Sequence, residues 1–259
     1  MHLKRLLVAL VVIPALYLYI KCLPAVYFFV LIAFISYICQ LEFLSMYSTN
    51  VPARHLFSLL GIIPVYLTYK YNDIPISAAI AVFFVISMLR LYGKKSAENA
   101  VNDMAPFWTG FFYIPVVLSY FVKLRAIGTE LVISLLVIIW VADSFALYVG
   151  KAMGRRKLYE AISPNKTVEG AVAALVGAVL SSLAMRTVYG FTMTVSKAVI
   201  IGIVLGISGI IGDLVESMFK RDAGVKDSGI ILPGHGGFLD KMDGMIFSAP
   251  VLYYLILYF

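Results

Sequence analysis

The chain has 259 residues, of which 62% are hydrophobic and only 14% are charged, and its formal net charge is +7. Soluble domains carry about a quarter charged residues, and a soluble chain of this length has too small a core to bury so much apolar material. Apolar runs recur at about the length of one bilayer crossing, so the sequence predicts an all-α, polytopic integral membrane protein.

The apolar runs predict about nine transmembrane helices in chain order. They cover residues 4–20, 22–46, 55–70, 74–92, 104–122, 128–150, 167–189, 196–219 and 242–258. The first run follows Lys4 and Arg5 but lacks a small-x-small cleavage site, so we expect an uncleaved helix instead of a signal peptide. Pro64 and Pro115 indicate kinks or helix starts, which membrane helices tolerate.

The basic residues orient the predicted helices. With a cytoplasmic N-terminus, fifteen of the 21 Lys and Arg residues fall on the cytoplasmic side and six on the other. Because cytoplasmic loops carry the excess of basic residues, this bias predicts a cytoplasmic N-terminus in a multi-pass protein of the cell inner (plasma) membrane. Topology accounts for the positive charge, so we predict no nucleic-acid partner.

The polar residues are distributed unevenly along the chain. Residues 1–125 carry sparse charges and are interpreted as N-terminal membrane scaffold helices, whereas residues 126–259 carry the clustered polar residues and are interpreted as a catalytic membrane half. Cys22 and Cys39 both lie in apolar runs, which favours small buried or lipid-facing residues over a disulfide.

The first polar cluster is Trp140-Val-Ala-Asp143-Ser144, late in the sixth predicted helix. A carboxylate after a long apolar run is costly at membrane depth and is by default a functional hypothesis. The alternative is an interfacial carboxylate paired with Lys151.

The second cluster runs from residue 150 to residue 170. Thr167 or Ser163 is a candidate N-cap for the next helix, with Glu169 in its first turn. Lys166 would then lie near a helix N-terminus, where a cation is unfavourable unless an anion is bound nearby. A basic loop beside anionic lipid headgroups is the alternative.

The third cluster places Asp213, Glu216 and Lys220 on one helix face by their spacing. Four glycines at three- and four-residue intervals precede Asp213, a pattern typical of closely packed membrane helices. We favour metal ligation by Asp213, the alternative being a helix-packing contact that ends in a salt bridge.

The fourth cluster is Pro233-Gly-His235-Gly-Gly237-Phe-Leu-Asp240-Lys241-Met-Asp243. Asp240 and Asp243 share a face if a helix begins there, and with Asp213 they would suit one or two Mg²⁺ ions. Plain helix capping is the competing account. His235 lies between glycines and is either a turn residue or part of a backbone anion site.

These clusters resemble the signature of the phosphatidate cytidylyltransferases, also called CDP-diacylglycerol synthases, over about residues 140–250. The resemblance is carried by Ser217-Met-Phe-Lys220-Arg221, Lys226-Asp227-Ser-Gly, Leu-Pro233-Gly-His235-Gly-Gly237 and Leu-Asp240-Lys241-Met-Asp243, with Ser163-Pro-x-Lys166 and Trp140-x-x-Asp143-Ser. Lys241 replaces an arginine that the family usually has. The positive charge is kept, but the planar guanidinium group, which can bind a phosphate with two hydrogen bonds, is lost.

The resemblance implies that CTP and membrane-borne phosphatidate react to give CDP-diacylglycerol and pyrophosphate, in phospholipid biosynthesis. It implies Mg²⁺ as cofactor, with two cation sites, and a catalytic group comprising Asp213, Asp240, Asp243, Lys226 and His235. The implied metal ligands are Asp213, Asp240, Asp243 and Asp143. The implied substrate-binding residues are Lys166, Lys220, Arg221, Asp227, Lys241 and Ser217.

Two alternatives stay open from the sequence. One is a CTP-dependent enzyme that acts on another lipid or on a polyprenol, because the lipid groove cannot be derived from these motifs. The other is an ion-coupled transporter, in which Asp143 and Asp213 would be pathway residues, although the paired interrupted helices typical of transporters are missing from the pattern. The predicted partners are CTP, phosphatidate and the lipid bilayer, and a homodimer is left open.

Overall fold

The computed structural model describes residues 13–47, 49–73, 76–229 and 236–259, and helices dominate it. The helices of the first part are α1 Ile13–Cys22, α2 Ala25–Met46, α3 Val51–Leu60, α4 Ile62–Tyr71, α5 Ile76–Lys94, α6 Ala100–Phe111 and α7 Val117–Ile127. The later helices are α8 Thr129–Met153, α9 Val168–Val188, α10 Val195–Asp222 and α11 Leu239–Tyr258. The prediction of an all-α, polytopic membrane protein is confirmed.

Seven helical segments within the described residues are long and apolar enough to cross a membrane. α3 and α4 form one of them, and α6 and α7 form another through a π-helical turn at Phe112–Val116. That turn contains Pro115, whose missing N–H removes one intrahelical hydrogen bond. The first predicted helix, 4–20, lies largely outside the described residues, and the ninth lies within α11, so the count of nine stays a prediction, as does the orientation of the N-terminus.

A short hairpin between α8 and α9 was not predicted. β1 (Lys157–Tyr159) pairs antiparallel with β2 (Ser163–Thr167), with Lys157 opposite Thr167. Of the two predicted caps for α9, Thr167 is confirmed, since its Oγ1 accepts a hydrogen bond from Gly170 N at 3.1 Å. The hairpin therefore leads directly into α9 and holds residues 163–167 beside that helix.

The later helices pack in sequence, with α9 against α8 and α10 and with α11 against α10 and α7. One apolar core joins residues from α2 through α11, including Phe43, Leu118, Ile139 and Ile246. α7 runs without interruption across the predicted boundary at residue 125. The division into a scaffold half and a catalytic half stays a prediction.

The glycine row of α10 brings neighbouring helices into close contact, as its spacing predicted. A Cβ at Gly202 would lie 2.6 Å from the Val179 Cα of α9, and a Cβ at Gly212 would lie 2.6 Å from the Asp243 carbonyl oxygen of α11. Both neighbours are backbone atoms, which cannot rotate away. The residues around Gly212 therefore set the distance between α10 and α11.

We expect Gly212→Ala to destabilise the protein by about 1–3 kcal/mol, because the added methyl group forces α10 and α11 apart. The measurement is the thermal unfolding midpoint in detergent. Gly93→Ala in α5 is the matched control, since a Cβ there meets nothing within 4 Å, and it should leave the midpoint unchanged or slightly raised. Equal midpoints for Gly212→Ala and wild type would show that the close approach of α10 and α11 does not contribute to stability.

Candidate active site

Three carboxylates from α10 and α11 meet where these helices approach each other. Asp213, Glu216 and Asp243 each offer one oxygen atom, and these atoms all lie within 4.8 Å of one another. Asp213 and Glu216 share a helix face through their i, i+3 spacing, and the contact at Gly212 brings Asp243 to them. Carboxylates this close repel each other unless a cation lies between or beside them.

Two lysines neutralise part of this carboxylate trio. Lys166 Nζ from β2 lies 2.5 Å from Asp213 Oδ2, and Lys220 Nζ lies 2.5 Å from Glu216 Oε2. The Glu216 side chain is fully buried, and its Oε1 has no hydrogen-bond partner among the described residues. Ser217, a predicted site residue, donates from its Oγ to Asp213 Oδ1 at 3.4 Å. The trio thus keeps one buried oxygen free for a further positive partner.

Asp240 lies beside the trio but has its own partners. Its Oδ1 accepts from Lys220 Nζ at 2.7 Å, and its Oδ2 accepts from Gly237 N at 2.7 Å and Ser228 N at 3.1 Å. Gly236 has a φ of 83°, a left-handed conformation that glycine adopts without strain. Asp240 therefore ties the segment before α11 to its first turn, and its predicted role as a metal ligand stays a prediction.

A cavity of about 750 Å³ opens between α8, α9, α10 and the hairpin. Asp143, Lys166 and Asp213, three residues predicted separately from the sequence, all line it. Its other polar lining includes Lys151, Lys157 and Asn165, and its apolar wall comes from Ile139, Ala142, Ala146, Leu147, Ala171, Ala174 and Ile210. One cavity therefore offers basic groups, carboxylates and an apolar surface together.

The remaining predicted site residues do not line this cavity, and one of them lies outside the described residues. Arg221 donates from Nε to Ile162 O at 3.2 Å and from Nη1 to Val225 O at 3.0 Å, so it connects the end of α10 to the hairpin turn. Lys226, Asp227 and Lys241 are exposed. His235 lies outside the described residues.

The end of α10 is also tied to the end of α2. Tyr47 donates its hydroxyl to Asp222 Oδ2 at 3.1 Å. Partial burial and this hydrogen bond raise the pKa of Tyr47 to about 12, so the phenol remains a hydrogen-bond donor at neutral pH. This contact anchors the helix that carries Asp213 and Glu216.

Sequence reasoning did not single out Glu42, a buried residue of α2. Its Oε1 accepts from Phe238 N at 2.9 Å, and its Oε2 accepts from Leu239 N at 2.8 Å. The available signal was its position, because it is the only acidic residue in the apolar segment 22–46 and such residues are functional hypotheses by default. Glu216 was placed on the correct helix face but was not assigned as a ligand.

A helical membrane protein with carboxylates and lysines at a cavity that also has an apolar wall has the features of an enzyme that handles phosphorylated substrates at a membrane. The model of the Cytidylyltransferase family matches residues 3–259, and the chain belongs to that family.

The curated relatives agree with this assignment. The chain is 37% identical to the "Phosphatidate cytidylyltransferase" of Staphylococcus saprophyticus, with 72% of this chain and 71% of the relative covered. It is 34% identical to the protein of the same name from Staphylococcus haemolyticus, with 78% of each chain covered. The Staphylococcus aureus protein of that name is 36% identical, with 71% of this chain and 70% of the relative covered.

Proposed function

We propose that this chain transfers a cytidylyl group from CTP to phosphatidate, which gives CDP-diacylglycerol and pyrophosphate. The observation that carries the proposal is the meeting of Lys166 and Asp213 at the cavity between α8, α9, α10 and the hairpin. The same cavity has apolar lining residues from α8, α9 and α10, which suit the acyl chains of a lipid phosphate. Family membership and the names of the relatives support the same reaction.

The carboxylate trio fits a divalent cation. Mg²⁺ prefers carboxylate oxygens and keeps several waters or substrate phosphates as further ligands. Asp213, Glu216 and Asp243 offer three such oxygens from two helices, and the unpartnered Glu216 Oε1 is a buried acceptor without a donor among the described residues. When bound there, Mg²⁺ would supply charge neutralisation for both attacking and leaving oxygens.

Asp143 and Asp240 are the further ligands in this proposal. Asp143 lines the cavity together with Asp213, and Asp240 shares Lys220 with Glu216. A second cation beside the trio would take one of these two carboxylates as a further ligand. The identity of this second cation is proposed separately from that of the Mg²⁺ at the trio.

The lysines of the cavity would bind the phosphates. Lys151, Lys157 and Lys166 line the cavity and would hold the phosphate of phosphatidate and the triphosphate of CTP against each other. The exposed Lys226 and Lys241 would contact the triphosphate of CTP. Ser217, Lys220, Arg221, Asp227 and His235 are the other residues that the family resemblance implies for the site. Binding two polyanions at one place requires this excess of positive groups.

The reaction is a single displacement at phosphorus. A phosphate oxygen of phosphatidate forms a bond to the α-phosphorus of CTP, and the bond from that phosphorus to the oxygen bridging the β-phosphate breaks. Pyrophosphate leaves with that oxygen and its electron pair. Because the attacking phosphate is already anionic, positioning and charge neutralisation contribute more than proton transfer.

The site would lie on the cytoplasmic side of the bacterial plasma membrane. The uneven distribution of basic residues supports this side, as does the chemistry, since CTP is a cytosolic solute and phosphatidate remains in the leaflet. Lys151, Lys157, Lys166, Lys226 and Lys241 all fall on the basic side of the predicted topology.

The test is an assay of the purified protein in detergent with labelled CTP, phosphatidate and Mg²⁺. We expect labelled CDP-diacylglycerol and pyrophosphate in equal amounts, and loss of turnover when EDTA removes the cation. Parallel reactions replace phosphatidate with a polyprenol or with a polyprenyl phosphate, which tests the alternative acceptors. Transfer to one of these but not to phosphatidate would contradict the proposed acceptor, and no transfer from CTP to any of them would contradict the proposed reaction.

A further inference from the structure

We propose that Glu42, a residue of α2, positions Asp243 for cation binding by holding the start of α11. This inference assigns a role in the site to the N-terminal part of the chain. It rests on the proposed cation site at the carboxylate trio, and it rests on the proposed cytidylyl transfer only for its kinetic measurement.

The contacts of Glu42 are made with the segment that leads into α11. Each of its carboxylate oxygens accepts one backbone N–H, from Phe238 at 2.9 Å and from Leu239 at 2.8 Å, and Ser228 Oγ lies 3.4 Å from its Oε2. The residue is only 4% exposed. A charged acceptor at a helix N-terminus is favoured by the unpaired N–H groups and by the helix dipole.

Glu42 and Asp240 hold the same short segment from two sides. Gly237 N donates to Asp240, and the next two N–H groups, of Phe238 and Leu239, donate to Glu42. Three consecutive backbone donors are thus each bound by a carboxylate. Asp243 follows Leu239 by four residues, about one helical turn, so a shift of this segment moves Asp243 relative to Asp213 and Glu216.

The surrounding chain leaves room for this carboxylate. A Cβ at Gly229 would lie 2.7 Å from Glu42 Oε1, and a Cβ at Gly237 would lie 2.6 Å from Glu42 Oε2. Both positions lack the side chain that would block the approach of Glu42. The Glu42 carboxylate therefore packs directly against the backbone at these two glycines.

α2 is itself fixed against the helix that carries the other two ligands. Phe43, the neighbour of Glu42, is fully buried, and its ring lies 5.4 Å from the ring of Phe219 in α10, edge to face. Tyr113 packs against both rings, with centroid distances of 6.0 and 5.3 Å. α2 therefore contacts α10 through Phe43 and the start of α11 through Glu42. These two contacts hold Asp243 of α11 at a fixed distance from Asp213 and Glu216 of α10.

Three measurements on the full-length protein in detergent test this role. Hydrogen–deuterium exchange of the wild type reports on the amides of Phe238 and Leu239. Electron paramagnetic resonance with Mn²⁺ as probe measures cation affinity without substrate. Initial rates give kcat and the KM for phosphatidate. Glu42→Gln is the main variant, because it keeps the shape but places an NH₂ group against a backbone N–H.

Gln40→Met is the matched control. Gln40 is also in α2 and is 1% exposed, but its Oε1 has no hydrogen-bond partner in the part of the chain that the structure describes. Removing this amide therefore changes a buried polar residue of the same helix without releasing α11.

We expect slow exchange of both amides in the wild type and faster exchange in Glu42→Gln. We expect Mn²⁺ to bind about ten-fold more weakly in Glu42→Gln, the usual cost of losing a group that orients a metal ligand, and with unchanged affinity in Gln40→Met. kcat should fall while the KM for phosphatidate stays constant, because α2 does not line the cavity.

Wild-type Mn²⁺ affinity in folded Glu42→Gln, or an equal loss in Gln40→Met, would overturn the proposal. If Glu42→Gln does not fold, Glu42→Asp takes its place, since it keeps the charge but is one methylene too short to reach both amides. Rapid exchange of Phe238 and Leu239 in the wild type would overturn the proposal without any variant. A wild type that fails to transfer cytidylyl groups would contradict the proposed function alone, because the exchange and Mn²⁺ measurements use no substrate.

Discussion

Asp243→Asn is expected to lower the kcat of cytidylyl transfer by about a thousand-fold. Metal-based charge stabilisation contributes several kcal/mol to such a step, and each 1.36 kcal/mol corresponds to a factor of ten in rate. Asp243 is the α11 member of the carboxylate trio, so its neutral amide removes a ligand charge that α10 cannot replace. The measurement is the initial rate with saturating CTP and phosphatidate across a Mg²⁺ series.

Asp222→Asn serves as the control for this variant. Asp222 ends α10 and accepts a hydrogen bond from Tyr47. The amide oxygen of an asparagine accepts the same bond, so the substitution removes one acidic charge outside the trio and keeps this contact. We expect its rate to stay within about two-fold of wild type, as for most surface substitutions. An Asp243→Asn enzyme that works at the wild-type rate would remove this residue from the cation site.

Lys166→Met is expected to lower kcat/KM by about a hundred-fold or more, the usual cost of removing one charged donor from a reacting phosphate or oxyanion. Lys166 lines the cavity and pairs with Asp213 at 2.5 Å, so it is placed to move between this carboxylate and a substrate phosphate. The measurement is the rate as a function of phosphatidate concentration in mixed micelles.

Two further variants separate the local role of Lys166 from a general loss of charge. Lys166→Arg keeps the positive charge and should retain part of the activity, although its planar fork changes the hydrogen-bond geometry. Lys94→Met removes a lysine that pairs with Asp103 away from the cavity, and should behave like wild type. Equal losses in Lys166→Met and Lys94→Met would contradict a specific role of Lys166.

The helices were predictable because apolar runs and their polar interruptions have a clear physical cause. Long apolar segments require a bilayer or a large core, and a carboxylate at the end of such a segment requires a partner. This reasoning placed Asp143, Lys166 and Asp213 on three separate segments, and the structure brings all three to one cavity. The glycine row of α10 also predicted the close contacts at Gly202 and Gly212.

The contacts of Glu42 could not be predicted from spacing. Glu42 and Leu239 are 197 residues apart in the sequence, and no periodic pattern relates residues on different helices. The hairpin was missed for a different reason, since β2 consists of Ser163-Pro-Asn-Lys-Thr167 and lacks the apolar alternation that marks a strand. The hairpin packs against α9, and Thr167 lies beside Gly150 of α8, which are contacts between segments that a local pattern does not show.

The assignment of Asp240 and Glu216 shows where spacing alone is ambiguous. Asp240 and Asp243 share a helix face, as do Asp213 and Glu216, so the pattern offers four candidate ligands. In the structure Lys220 lies between Glu216 and Asp240. Which carboxylates remain available to a cation depends on where that one ammonium group lies, and a sequence does not specify this position.

The length of α10 determines how far Asp213 lies from the start of this helix across a bilayer. Eighteen residues, from Val195 to Gly212, precede Asp213 in this helix, and at 1.5 Å per residue they span ~27 Å. The hydrocarbon region of a bilayer is ~30 Å thick. For a helix that starts at one face of this region, Asp213 lies close to the opposite face, where acyl chains end and phosphate groups start. A lipid phosphate at that depth reaches Asp213 without leaving its leaflet, and the nucleotide stays in water.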